Sequence, residues 1–265
     1  MKVPKALTIA GSDSGAGAGI QADLKTFAAI GVYGTSAITA ITAQNTVGVT
    51  KIVELSSDII AAQIDAVIED IGADALKTGM LGNSVIIETV AKKIREHALE
   101  NLVVDPVMVA KSGDFLLRED AVDALCSRLI PLAAVVTPNI PEAERLTEMP
   151  LRREKDFETA AKKILDMGAK SVVIKGGHKK GPADDLFFDG DKFRVLRSTR
   201  IRTRHTHGTG CTFSAAIAAY LAQGKDLESA VVLAKKFITQ AIRKAFRIGA
   251  GHSPVHHFHS SWKNL

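Results

Sequence analysis

Two cysteines in 265 residues, Cys126 and Cys211, are too few for a disulfide framework. That scarcity points to a reducing compartment, so a cytoplasmic protein is expected. No apolar run approaches the ~20 residues of a membrane span, and no membrane partner is expected. The opening MKVPKALTIAG is too short and wrongly flanked for a signal peptide; it reads as a first strand. Neither charge sign dominates, since 34 Lys and Arg against 29 Asp and Glu leave +5. The basic residues are spread over helix faces beside acids, which reads as solvated surface and not as a nucleic-acid site. There is no G-x-x-x-x-G-K-[ST] P-loop. The run GSDSGAGAG is not a dinucleotide fingerprint either. Gly15 and Gly17 start one, but Ile20 stands where the third glycine belongs, and the next strand ends in Gln44, not in an acid. Repeats, low-complexity tracts and long linkers are also missing. One domain over 1–265 is therefore expected.

What is present is an alternation. Short β-branched runs at 6–11, 35–44, 75–79, 101–107, 134–139 and 171–177 end at Gly, Pro, Asn or Asp. Helical patterns occupy 18–30, 57–71, 83–98, 119–130, 141–148 and 156–167, and two more follow at 211–222 and 227–246. In the second, Ile60, Ile64, Val67, Ile68 and Ile71 recur at helical steps, with Ser57 or Asp58 as cap. The rhythm implies an α/β fold with a mainly parallel sheet and helices on both faces. DLFFDGDKFRVL breaks it with a hairpin around Asp189-Gly190. The helix after Cys211 is apolar or alanine almost all round and is expected to be buried.

Ligands of such sheets gather beyond the strand carboxyl ends. There the chain places GSDSGAGAG, Gln44-Asn45, Lys77-Thr78-Gly79-Met80, Asp105-Pro106, Asn139 and Lys175-Gly176-Gly177. Each has a structural and a functional reading. GSDSGAGAG is either a flexible strand–helix loop or a backbone that closely approaches a small ligand. Asn139-Ile140-Pro141-Glu142 is a capping box, or an acid beside a hydrated Mg²⁺. Asp105 is an Asp-Pro turn, or a buried acid with a cation partner. Lys175 is surface, or a point charge for phosphate.

HTHGTGC (205–211) joins a glycine-rich turn to a helix start, which leaves unpaired N–H groups and a positive dipole end. That suits an anion. H-x-H-x-x-x-C fits no common zinc spacing. Cys126 lies in a helix as core, so a redox pair is not expected. A helix N-terminus would favour a thiolate at Cys211.

Together ALTIAGSDSGAGAGIQADLKTF, TAITAQNT, ALKTGML, VVDPVM, TPNIPEAE, VIKGGH, HTHGTGCTFSAAIAA and SPVHHFHSSW resemble the ribokinase superfamily. The likeness is closest to its hydroxymethylpyrimidine kinase/phosphomethylpyrimidine kinase branch, and it runs from residue 6 to 262. The resemblance implies a ribokinase-like fold and transfer of phosphate from ATP, with Mg²⁺, to hydroxymethylpyrimidine and its monophosphate. Pyridoxine or pyridoxal phosphorylation is the alternative activity, and a non-catalytic small-ligand protein the alternative class. By the same resemblance Gly208, Gly210 and Cys211 form the anion hole, with Cys211 as base or as a group that orients the alcohol. Gln44, Asp23, Gly11, Ala18, Met80 and Val107 match the pyrimidine pocket. Asp105, Asn139, Glu142 and Lys175 match the nucleotide side, with Asp105 and Glu142 holding Mg²⁺ through water. A homodimer is also implied. One departure is GAGHSPV near the end, where Ser253 replaces the family's usual glycine. That argues against giving this loop a role in catalysis. The tail histidines 252, 256, 257 and 259 are expected to be structural and not to bind metal.

Overall fold

A computed structural model of the chain describes residues 3–108, 121–178 and 181–262. Nine strands form one sheet: β1 (Lys5–Asp13), β2 (Tyr33–Gln44), β3 (Val49–Glu54), β4 (Ala75–Thr78), β5 (Leu102–Val104), β6 (Val135–Val136), β7 (Val172–Ile174), β8 (Asp185–Phe188) and β9 (Phe193–Leu196). Their order is β3-β2-β1-β4-β5-β6-β7-β8-β9. The run from β2 to β7 is parallel, and β3, β8 and β9 are antiparallel additions at the two ends.

The central strands are short and fully buried because both faces are covered, so they show continuous apolar runs. Side chains still alternate between faces. Leu7, Leu76, Leu102, Val104, Val136 and Val172 meet α2 (Ser57–Asp70), α3 (Ser84–Glu96), α5 (Ile140–Thr147) and α6 (Glu154–Asp166). Ala6, Ala75, Val103, Val135 and Val173 meet α1 (Gly19–Ile30), α7 (Thr209–Ala222) and α8 (Leu227–Arg243). Alanines on both partners, Ala6 and Ala75 against Ala215, Ala216, Ala218 and Ala219, let α7 lie close on the sheet. This helix is buried almost throughout, as its composition predicts.

Three local readings need correction. Helix α2 starts at Ser57 as expected, but its cap is neither Ser57 nor Asp58: Ser56 is the N-cap, makes no side-chain cap bond, and Asp58 sits in the first turn. The helix expected over 119–130 is a short α4 (Ala121–Ala124) that loosens into a π turn at Leu125–Leu129 and a 3₁₀ turn at Ile130–Leu132, which contains Pro131. Its residues 119–120 lie outside the described ones. Strand β3 was not expected. No residue of β3 is buried, so it has no core-facing side for alternation to reveal. It is set by a turn in which Asn45 Oδ1 accepts from the Val47 and Gly48 amides at 2.8 and 3.3 Å. The β8–β9 hairpin forms where Asp189-Gly190 predicts it, and Phe188 stacks on Phe193 at 4.1 Å.

Candidate active site

One cavity of about 1520 Å³ opens along the carboxyl ends of the parallel strands. Every expected site residue except Asp23 lines it: Gly11, Ala18, Gln44, Met80 and Val107 from the expected ring pocket; Asp105, Asn139, Glu142 and Lys175; and Gly208, Gly210 and Cys211 at the start of α7.

The α7 start is the centre of the arrangement. Gly208 caps it at φ +75, where a side chain would be strained, and a Cβ there would lie 1.8 Å from the Gly17 carbonyl oxygen. The first helical bond runs from Thr212 N to Gly208 O at 2.9 Å. The amides of Gly210 and Cys211 find no acceptor among the described residues. They therefore keep the free N–H groups of a helix start inside the cavity. A Cβ on Gly210 would meet Lys175 Nζ at 3.3 Å and Asp105 Oδ2 at 3.6 Å, so the ion pair of those residues adjoins the helix start.

Asp105 follows β5 and is almost fully buried, yet fully partnered. It accepts from Lys175 Nζ at 2.9 Å, Ser214 Oγ at 3.2 Å and Thr137 Oγ1 at 3.3 Å. Burial alone would raise its carboxyl pKa, but Lys175 and Lys77 hold it below its ordinary range. Lys175 sits at the end of β7, bridged to Asn139. Burial works against its charge, and Asp105 and Glu142 more than offset this.

Asn139 and Glu142 satisfy the structural and the functional placement at once. Asn139 Oδ1 accepts from Glu142 N at 2.9 Å, Glu142 Oε2 accepts from Asn139 N at 2.7 Å, and both residues line the cavity. Burial, partly offset by Lys175 and reinforced by Asp105, pushes the Glu142 carboxyl up to about 7. Two buried carboxylates beside one lysine lack positive charge. Among the described residues no three His, Cys, Asp or Glu gather closely enough to form a protein metal cage. Asp105 and Glu142 both line the cavity, and two carboxylates facing open space fit a hydrated cation such as Mg²⁺.

At the far end of β2, Thr42 Oγ1 donates to Gln44 Oε1 at 3.1 Å and so orients the Gln44 amide. Asp23 is the correction to the expected pocket. It lies in α1 with no exposure, accepts from Thr8 Oγ1 at 2.6 Å and from Lys77 Nζ at 2.8 Å, and does not reach the cavity. Its buried charge needs a cation, and Lys77 is the member of the pair on the cavity wall. Burial works against the Lys77 charge, but Asp23, Cys211 and Asp105 raise its pKa.

Cys211 is the second correction. The helix start does not make it a thiolate. Burial pushes the thiol up to about 11, opposed by Lys77 and the Gly19 amide and reinforced by Asp23 and Asp105. Desolvation outweighs the dipole here.

With the geometry in place, comparison with known proteins decides the family. The phosphomethylpyrimidine kinase family model matches residues 13–256. The chain belongs to the phosphomethylpyrimidine kinase family. A Rhizobium meliloti relative named hydroxymethylpyrimidine/phosphomethylpyrimidine kinase is 55% identical over 263 residues, covering 98% of each chain. The phosphomethylpyrimidine kinase of Clostridium difficile superposes with a TM-score of 0.81 at 47% identity, over 91% of this chain and 100% of that one. The ADP complex of Bacillus subtilis pyridoxal kinase superposes with a TM-score of 0.90 at 46% identity, over 97% and 98%. The fold is thus ribokinase-like, as the motifs imply.

Sequence reasoning gave no role to several residues that line the cavity or adjoin it. Lys77 stands on the rim expected from the strand ends and lines the cavity, although ALKTG by itself assigns it no role. Phe213, Ile238 and Ile242 give the cavity an apolar end between α7 and α8, and they look like ordinary core positions in the sequence. The cavity also reaches Arg200 and Arg202 in the connection before HTHGTGC. Asp13 and His207 were quoted inside motifs without a role, and the structure joins them at 2.8 Å. The GHSPV departure also has a place: Ser253 O accepts from His207 N at 3.1 Å, so this loop backs the anion-site turn. Three of the four tail histidines pack, and His252 is exposed. His257 Nε2 meets Thr212 Oγ1 at 3.1 Å, His256 lies against Phe246, and His259 against Phe237.

Proposed function

We propose that the chain transfers the γ-phosphoryl group of ATP to the hydroxymethyl oxygen of 4-amino-5-hydroxymethyl-2-methylpyrimidine, and then a second phosphoryl group to the monophosphate. The diphosphate so formed serves thiamin biosynthesis. The observation that carries this reading is the α7 start: two amides without acceptors among the described residues, beside the Asp105–Lys175 pair, in one cavity with Gln44.

In the proposed transfer the alcohol oxygen bonds to the γ-phosphorus as the bond to the bridging oxygen of ADP breaks, and the hydroxyl proton passes to an oxygen of the transferred phosphoryl group and from there to water. The Gly210 and Cys211 amides donate to the moving phosphoryl oxygens, where charge is spread in a loose transition state. Lys175 adds a point charge on the same side. Asp105 and Glu142 would hold Mg²⁺ through water, and the ion would supply neutralisation of the phosphate charge. The Gln44 amide offers both acceptor and donor to an aminopyrimidine edge. Gly11, Ala18, Met80 and Val107 shape the ring pocket around it. A thiol near 11 keeps its proton at neutral pH, which favours Cys211 as the group that orients the alcohol over Cys211 as base. A loose transition state leaves the attacking alcohol little need of a strong base.

The chain would act as one ribokinase-like domain, in keeping with the single sheet that carries the whole site. Homodimer formation is supported by the apolar side chains Ile41, Val47 and Val53, which are 51%, 70% and 61% exposed on the β2–β3 edge. A cytoplasmic location rests on the scarcity of cysteine. No described helix is long and apolar enough to cross a membrane.

Phosphorylation of pyridoxal is the second reading, favoured by the likeness to B. subtilis pyridoxal kinase. A product assay with Mg²⁺-ATP and hydroxymethylpyrimidine, its monophosphate or pyridoxal in parallel separates the two. Pyrimidine diphosphate is the expected product. Phosphorylation of pyridoxal alone would transfer the proposal to the second reading. No ATP consumption with any of the three would leave a binding protein.

A further inference from the structure

We propose that Asp13 and His207, both on the cavity wall, form a positioning pair that fixes the α7 anion site against the ring pocket, so that His207 acts on turnover through the turn it holds. The proposal rests on the kinase reading above. Asp13 is the last residue of β1 and is 3% exposed. Its Oδ1 accepts from Gly15 N at 2.8 Å. Its Oδ2 accepts from Gly17 N at 3.1 Å, Ala18 N at 2.8 Å and His207 Nε2 at 2.8 Å. One carboxylate therefore ties together two segments 194 residues apart. Ala18 borders the ring pocket and leads directly into α1. His207 directly precedes Gly208, the cap of α7.

The join leaves little slack. The His207 ring lies on Gly17, where a Cβ would fall 2.1 Å from Cδ2. Gly208 lies on the Gly17 carbonyl. His207 is also held from behind, because its N donates to Ser253 O at 3.1 Å and its O accepts from Val255 N at 3.3 Å. Its side chain and backbone thus clamp the turn from opposite sides. Burial alone would raise the Asp13 carboxyl, but the His207 hydrogen bond and the loop amides hold it below its ordinary range, so a charged acceptor stands at the join. Phosphoryl transfer depends on the approach of the alcohol to phosphorus, and misplacement by about 1 Å can cost on the order of 10²-fold. The pair sets that approach, because Ala18 on one loop borders the ring pocket while the amides proposed to receive the phosphoryl oxygens, and Cys211 beside them, start the other element.

The test compares two substitutions. His207→Gln keeps an N–H donor for Asp13 without the ring, whereas His207→Phe keeps a ring against Gly17 without the donor. Turnover and both KM values are measured well below each variant's Tm, and amide hydrogen exchange is followed through residues 206–212. The expected result is His207→Phe slower by about tenfold or more, ATP KM within about threefold, and His207→Gln recovering to within about fivefold of the parent. Exchange at 206–212 should quicken in the Phe variant and stay near parental in the Gln variant. This readout needs no substrate, so it reports on the pair even if the parent protein were to phosphorylate none of the three alcohols. A folded His207→Phe with parental turnover and parental exchange would overturn the proposal. So would a His207→Gln variant as slow as the Phe variant at equal Tm. If the Phe variant does not fold, His207→Ala takes its place under the same criteria.

Discussion

Two glycine-rich segments touch each other and border the same cavity, yet their amides have opposite fates. In the loop after β1, the N–H groups of Gly15, Gly17 and Ala18 all point at Asp13, the carboxylate that ends the strand before it. At the start of α7, the N–H groups of Gly210 and Cys211 have no acceptor among the described residues. The first loop carries its own anion; the second is left for a phosphoryl group. Glycine content alone does not separate them. The difference is a single acid two residues before the first glycine of the loop and none within residues 205–211 of the second segment.

The largest effect expected from this contrast is on stability. Gly208→Ala places a side chain at φ +75 and 1.8 Å from the Gly17 carbonyl oxygen, and Gly17→Ala drives into the His207 ring. Each should cost at least ~2 kcal/mol in denaturant unfolding, with activity lost alongside. A Gly208→Ala variant as stable as the parent would remove the claim that the two loops are locked together.

A middle effect tests the cation side. Because the Glu142 carboxyl is raised to about 7 in the folded protein, folding takes up a proton there. Its contribution to stability is fully present below the ordinary glutamate pKa and is lost as pH rises through about 7. Glu142→Gln keeps an oxygen for the Asn139 amide and should flatten the fall of unfolding free energy between pH 5 and 8, on the order of 1–3 kcal/mol. An unchanged slope would mean that Glu142 is not held protonated. Addition of Mg²⁺-nucleotide should shrink the same slope in the parent.

A smaller effect concerns Cys211. As an orienting thiol, its replacement in Cys211→Ser should leave turnover within about tenfold of the parent, whereas loss of a general base costs about 10²–10⁴-fold. Alkylation of Cys211 by iodoacetamide, followed by peptide mapping to separate it from Cys126, should keep rising with pH beyond 9. A plateau near pH 7 would restore the thiolate.

Much of this was legible in the sequence. β-branched runs ending at Asn, Asp, Gly and Pro gave the parallel strands, because those strands are buried on both faces and need apolar residues throughout. What lies at their ends lines the cavity, since topology alone puts those ends on one rim. The missed pieces depend on distance in space. Asp23 and Lys77 are 54 residues apart, and only the fold shows which of the two faces the cavity. The protonated state of Cys211 could not be read from its place on a helix start, because burial is a property of the packed molecule. Strand β3 escaped because no residue of it is buried.

The most direct test of the contrast between the loops is Gly210→Ala, read by Tm and turnover together. Gly210 is helical without a positive φ, so alanine should fold as well as glycine or better. Its methyl, however, would stand 3.3 Å from Lys175 Nζ and 3.6 Å from Asp105 Oδ2, in the space assigned to the phosphoryl oxygens. The expected result is an unchanged or higher Tm with kcat/KM lower by about 10²-fold or more. A folded Gly210→Ala protein with parental kcat/KM would contradict the assignment of the α7 start as the site of phosphoryl transfer.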